Sequence, residues 1–158
     1  MCDSCGCRDL TPIADLSADH EAIGELDLRV RAALRVGDVA TARASFDAVV
    51  DVLRVHTVTE EHGVFAEARA EPDLVEYVDR LERDHTDVWV TVDALHAAPS
   101  DDAWARGALA FLDTLADHIF VEEQDLFPAS VVGLSAQAWA RVVDAHAQTR
   151  ATREQDAA

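Results

Sequence analysis

At 158 residues with a formal net charge of -18, the chain suits one packed domain and is a poor fit to nucleic-acid backbones or anionic membrane surfaces. Apolar residues make up 49% of it, which excludes a disordered chain, and no run approaches the ~18 uninterrupted apolar residues of a membrane helix. All 13 basic residues are arginine, and only 6 Gly and 4 Pro interrupt a composition that favours helix.

The N-terminal MCDSCGCRD carries Cys2, Cys5 and Cys7 as C-x2-C-x-C and has no basic-then-apolar leader, so a cytoplasmic protein is expected. Three thiols form neither a disulfide framework nor a closed zinc site. They are candidates for a redox or soft-metal role on a flexible segment of residues 1–11. A first amphipathic helix is expected from about Ser17, as its cap, to Val36, with Gly37 ending it. A second runs from about Asp38 to Ala70. Pro72 marks the start of a third, which continues to about Ala97, where Pro99 and Ser100 break it. The fourth begins near Asp101 and reaches Phe127, with Pro128 ending it. A shorter fifth helix is expected over Ser135 to about Arg150, followed by a frayed polar tail. With short connections and no strand pattern, the expected fold is all-α. It is an antiparallel up-down four-helix bundle over residues 12–130, with an extra C-terminal helix and tail over 131–158.

An internal repeat lies within these helices. His56 to Phe65 and His118 to Phe127 both read H-x3-E-E-x3-F, at an offset of 62 residues (118 minus 56). Asp19-His20 and Asp84-His85 form a second matched pair, offset by 65 (85 minus 20). Residues four apart on a helix differ by about 40°, so His56 shares a face with Glu60 and His118 with Glu122. Glu61 and Glu123 lie about 100° further round and are expected to face solvent or a helix edge. Asp19, Asp84 and Asp117 each directly precede one of these histidines. A neighbour in sequence also points about 100° away, so any hold on an imidazole would have to reach one on another helix.

His20, His56, Glu60, His85, His118 and Glu122 all fall on apolar stripes, so the fold carries six ionisable side chains into its interior. Unpaired, they would cost several kcal/mol or more, and a cation at their centre removes that cost. Six mixed imidazole and carboxylate donors exceed what one tetrahedral zinc uses and suit iron or manganese, with carboxylates joining two ions. The His-before-Glu order differs from the Glu-x-x-His order of ferritin-like di-iron bundles.

At these residues the chain resembles the hemerythrin family, over about residues 12 to 130. The resemblance implies a left-handed four-helix bundle holding two Fe ions under an oxo or hydroxo bridge. It implies His20, His56, Glu60, His85, His118 and Glu122 as ligands, with Glu60 and Glu122 as the bridging carboxylates. Oxygen-carrying members have a fifth histidine four residues from the one on the third helix; the positions here are Leu81 and Trp89. His62, His96 and His146 are read as ordinary histidines. With one strong ligand fewer, more positions are open to exchange. The expected function is therefore binding of, and reaction with, O2, hydrogen peroxide or NO, with peroxide decomposition or oxidase activity, in stress handling or sensing. The alternative is a non-catalytic oxygen or iron sensor that signals to a partner. Gly24 and Gly63, close to the ligands, are either access points or tolerated helix glycines.

Overall fold

A computed structural model describes residues 9–156, with side chains to Thr152; Cys2, Cys5 and Cys7 lie outside the described residues. Every element in the described residues is helical: α1 Thr11–Arg35, α2 Val39–His62, α3 Val64–Ala68, α4 Val75–His96, α5 Asp101–Val121, a π turn Glu122–Leu126, α6 Phe127–Gly133 and α7 Ala136–Asp156. The chain is an α-helical bundle with an additional C-terminal helix.

Helix α1 starts at Thr11, before the expected cap Ser17. Pro12 occupies its first turn, where a missing N–H costs nothing, and buried Ile13 and Leu16 anchor that turn in the core. Gly37 adopts φ +77°, the left-handed conformation that ends a helix. Asp38 then caps α2 by accepting from the Thr41 N–H at 3.0 Å, and Ser100 caps α5 by accepting from Ala103 N–H at 3.2 Å.

The expected second helix, Asp38 to Ala70, is two pieces, because α2 stops at Gly63 and α3 begins at Val64. Nor does Pro128 end the fourth helix. The chain widens into the π turn from Glu122, and Pro128 sits in the first turn of α6, where it needs no N–H partner. The C-terminal helix is also longer than expected, reaching Asp156. It packs on α2, α3 and α1, placing Ala138 and Val142 in the core.

The core is in two parts. One contains Ile23 and Val30 of α1, Phe46 and Leu53 of α2, Val88 and Val92 of α4, and Trp104 and Leu115 of α5. The other contains Leu16 of α1, Phe65 of α3, Val78 and Leu81 of α4, Phe127 of α6 and Val142 of α7. Along α1 and α4 the second cluster comes first; from α2 into α3 and from α5 into α6 it comes last. That alternation is the signature of an up-down bundle. In each of the four rods the repeated His and Glu positions fall between the two clusters. The fold therefore stacks a polar layer between two apolar ones.

Candidate metal centre

The polar layer is built from the repeat. α1 supplies His20, α2 His56 and Glu60, α4 His85, and α5 His118, with Glu122 at the first position of the π turn. All six are buried, and both glutamates are 0% exposed. The four Nε2 atoms converge on the two carboxylates. His56 lies 3.2 Å and His85 3.5 Å from Glu60 Oε2; His118 lies 2.9 Å from Glu122 Oε1, and His20 3.1 Å from Glu122 Oε2. Their donor atoms form two clusters, His20–His56–Glu60–Glu122 and His85–His118–Glu122, each within 4.8 Å. Glu122 belongs to both, and Glu60 reaches a histidine from each half of the repeat.

These close approaches are not a hydrogen-bond network. Both oxygens of Glu60, both of Glu122 and His85 Nε2 are buried without a hydrogen-bond partner. His20 Nε2 and His56 Nε2 also face each other at 2.9 Å. Buried carboxylates left in this state cost several kcal/mol. Oxygen and imidazole donors aimed at shared points are what cations require, so the donor set fits a metal.

The outer nitrogens explain the inner ones. His20 Nδ1 donates to Glu123 Oε1 at 2.8 Å and His85 Nδ1 to Glu61 Oε1 at 2.9 Å. His56 Nδ1 faces Asp19 Oδ2 and His118 Nδ1 faces Asp84 Oδ2, both at 3.4 Å. A carboxylate only accepts, so Nδ1 keeps a proton, and once the ring is neutral its Nε2 lone pair faces inward. Glu61 and Glu123 therefore do not serve solvent or a helix edge, as helical spacing suggested. Each points about 100° from the centre of its own helix, directly at the lone histidine of the next. Asp19 and Asp84 likewise each serve a histidine on the neighbouring helix of their own half; Asp117 makes no such contact with the four histidines. Repetition of the same two acids in each half, Asp19 and Glu61 and then Asp84 and Glu123, was the signal that could have identified them.

The last residue of the motif also has a place. Phe65 stacks on the His85 ring at 5.5 Å and 14°, and Phe127 on the His20 ring at 5.9 Å and 8°. In a regular α-helix, Phe127 would point about 140° away from Glu122, five residues earlier. Here the Phe127 N–H bonds to the Glu122 carbonyl, an i→i+5 bond that brings the phenyl back to the same side. The break at Gly63 serves the matching Phe65. A Cβ there would lie 2.7 Å from the Thr59 carbonyl oxygen, so a side chain cannot be added without moving backbone.

The charges respond as this packing demands. Burial alone would push His56 down, but the adjacent Glu60 charge and the facing Asp19 carboxylate raise it to about 10. His85 is likewise raised to about 9 against its burial, by the nearby Glu60 carboxylate and by its hydrogen bond to Glu61. His20 and His118 are raised too, each despite burial and each chiefly by Glu122. Burial works to raise Glu122, yet the adjacent His118 and His20 imidazoles hold it well below the usual carboxylate range. Glu60 is lowered despite burial and the nearby Glu122, mainly by His56.

Grooves approach the layer from outside. An apolar one of ≈ 330 Å³ between α4 and α5, lined by Val88, Gly107, Phe111 and Leu115, ends at His118 and Asp84. A second of ≈ 520 Å³ between α1 and α5 reaches His20 beside Gly24, where a Cβ would meet nothing within 4 Å. His62 and His96 are exposed and away from the layer. His146 also lies outside the layer. It is buried, and its Nε2 lies 2.9 Å from Asp15 Oδ2 of α1.

Comparison with known proteins agrees with the geometry. No curated protein and no solved structure matches the chain. A family model described as hemerythrin HHE cation binding domain matches residues 11–130. That span includes every residue of the polar layer and most of the chain, and the chain therefore belongs to the hemerythrin HHE cation-binding family.

Proposed function

We propose that the layer holds two iron ions, one against His20 and His56 and the other against His85 and His118, joined by Glu60 and Glu122, and that it binds and reacts with small oxidants: dioxygen, hydrogen peroxide or NO. The observation that carries this is the division of the donors into two clusters sharing Glu122. Each cluster offers three or four protein donors, fewer than the six that iron accommodates, so exchangeable positions remain. When bound, the ions supply Lewis acidity and one-electron chemistry next to those positions.

The protein's own groups do the rest. Glu61, Glu123, Asp19 and Asp84 fix the imidazole orientation, and Phe65 and Phe127 cover two of the rings. Leu81 and Trp89, the two positions four residues from His85 at which a further histidine of the oxygen carriers would stand, offer no such donor, and Leu81 is fully buried. The apolar groove to His118 suits neutral small molecules better than hydrated ions. The test is metal quantification on the purified chain, an optical spectrum, and addition of hydrogen peroxide. About two irons per chain with near-ultraviolet bands of a bridged ferric pair, and oxygen evolution faster than free iron gives, are expected. One zinc per chain would reject the centre. Two irons without peroxide turnover would leave a binding module in place of a catalyst.

A further inference from the structure

We propose that Arg150, on the helix beyond the family match, makes the two halves of the metal centre unequal by neutralising Asp19, so that the cation beside His20 and His56 is held more weakly than its partner. The proposal rests on the two-cation reading above.

Asp19 and Asp84 are counterparts in the two halves of the repeat, each facing a histidine Nδ1 at the same 3.4 Å. Their outer surroundings differ. Arg150 Nη2 of α7 donates to Asp19 Oδ2 at 2.6 Å, the same oxygen that faces His56. On the other side, Asp84 has only Arg80, one turn back on its own helix, with Nε at 3.9 Å and its side chain 58% exposed. At that distance and exposure the pair contributes almost nothing. The residue 65 positions before Arg80, the offset that relates His85 to His20, is Asp15 (80 minus 65). So the first half has an acid where the second has its arginine. α7 supplies a partner for both acids: His146 for Asp15 at 2.9 Å and Arg150 for Asp19.

Solvent is excluded unequally as well. The carboxylates on the first-half histidines, Glu123 and Asp19, are 11% and 19% exposed; those on the second-half histidines, Glu61 and Asp84, are 40% and 35% exposed. Charges near His20 and His56 are therefore less screened, and a guanidinium there acts more strongly than one in water. Two consequences act in the same direction. An aspartate shared with arginine draws less on the imidazole N–H, leaving Nε2 a weaker donor. The positive charge itself disfavours a cation nearby.

Arg150 is thus a positioning and tuning residue, acting through Asp19, and α7 is a part of the centre that touches no cation. A separate anchor of the helix, Arg141 bound to both Glu67 oxygens at 2.7 and 2.6 Å, is exposed and contacts none of the layer residues, which makes it a control for helix docking.

The test is calorimetric titration of the full metal-free chain with zinc(II), a redox-silent probe, combined with ¹⁵N shifts of the four imidazoles to assign each step. The parent chain is expected to take two zinc ions in resolved steps, the weaker one moving His20 and His56. Arg150→Gln should tighten that weaker step by about 10-fold and leave the other alone, whereas Arg150→Lys should keep the parent pattern. Arg141→Gln should leave both steps unchanged. Two indistinguishable steps in the parent, or an Arg150→Gln chain with parent-like steps, would overturn the proposal alone. So would loss of affinity shared by Arg150→Gln and Arg141→Gln, since Arg150 would then only dock the helix. A parent chain binding one zinc or none would overturn the two-cation reading and this proposal with it.

Discussion

Glu122 is the residue on which the layer depends most, because it alone belongs to both donor clusters. Glu122→Gln keeps the shape and removes the charge that His20 and His118 approach at 3.1 and 2.9 Å. Metal content is expected to fall from about two ions per chain to one or none by elemental analysis. Glu61 and Glu123 act one bond further out. Glu61→Gln or Glu123→Gln should weaken metal binding by roughly 10–100-fold in a competition titration, through His85 and His20 respectively. An unchanged affinity in both would show that the outer carboxylates do not orient the rings. The six inner residues could be read from sequence because their message is local: a histidine and a glutamate one turn apart, written twice. The outer four are written twice as well, but which ring each one meets could not be read. Each leaves the face of its own helix and meets a ring on another, and spacing within one helix says nothing about which neighbour comes alongside.

Among the elements, the two helix irregularities carry more of the function than the straight segments. Gly63 ends α2, and Gly63→Ala sets a methyl 2.7 Å from the Thr59 carbonyl oxygen. A loss of about 1–3 kcal/mol in stability by denaturant unfolding is expected. A change below a few tenths would mean that the backbone there yields freely. In the second half the same task falls to the π turn. Deleting Gln124 should restore α-helical bonding with the phenylalanine four residues after Glu122, about 40° round, so its ring should stay on His20 with little change in the His20 imidazole NMR signals; loss of that contact would show that the π turn does not simply absorb one extra residue. The four rods were legible from apolar spacing, Gly37 and Ser100. The ends beside the centre were not, because the glutamates, the phenylalanines and Pro128 all suit a continuous helix pattern or a plain stop. What decides there is packing of two phenyl rings onto two imidazoles. Helix α7 was legible as an amphipathic stretch, but its contact with α1 was not, since periodicity does not name a docking partner.

For the molecule as a whole, the charges of the layer tie stability to pH. His56 and His85 are raised to about 10 and about 9, so their contribution to the metal-free fold is complete below about 6.5 and disappears as pH rises through about 9 to 10. Glu60 and Glu122 are lowered, so theirs is present above about 4.5 and is lost as pH falls through the lowered values. Metal-free protein should therefore be most stable near neutrality, as thermal melts across pH would show. Because ligation needs neutral imidazoles, metal uptake at neutral pH should release roughly two protons, measurable with an indicator dye in weak buffer. Uptake without proton release would contradict the raised imidazoles. The stacking of one apolar slab on each side of the charged layer has a mechanical corollary. Apolar contacts within either slab do not reach across to the other, so the helix backbones, the side chains of the layer and, on the reading proposed above, the bound ions connect the two ends. Stripping the ions with a chelator should accordingly loosen the cooperativity between ends, turning a single sharp calorimetric peak into a broad or doubled one.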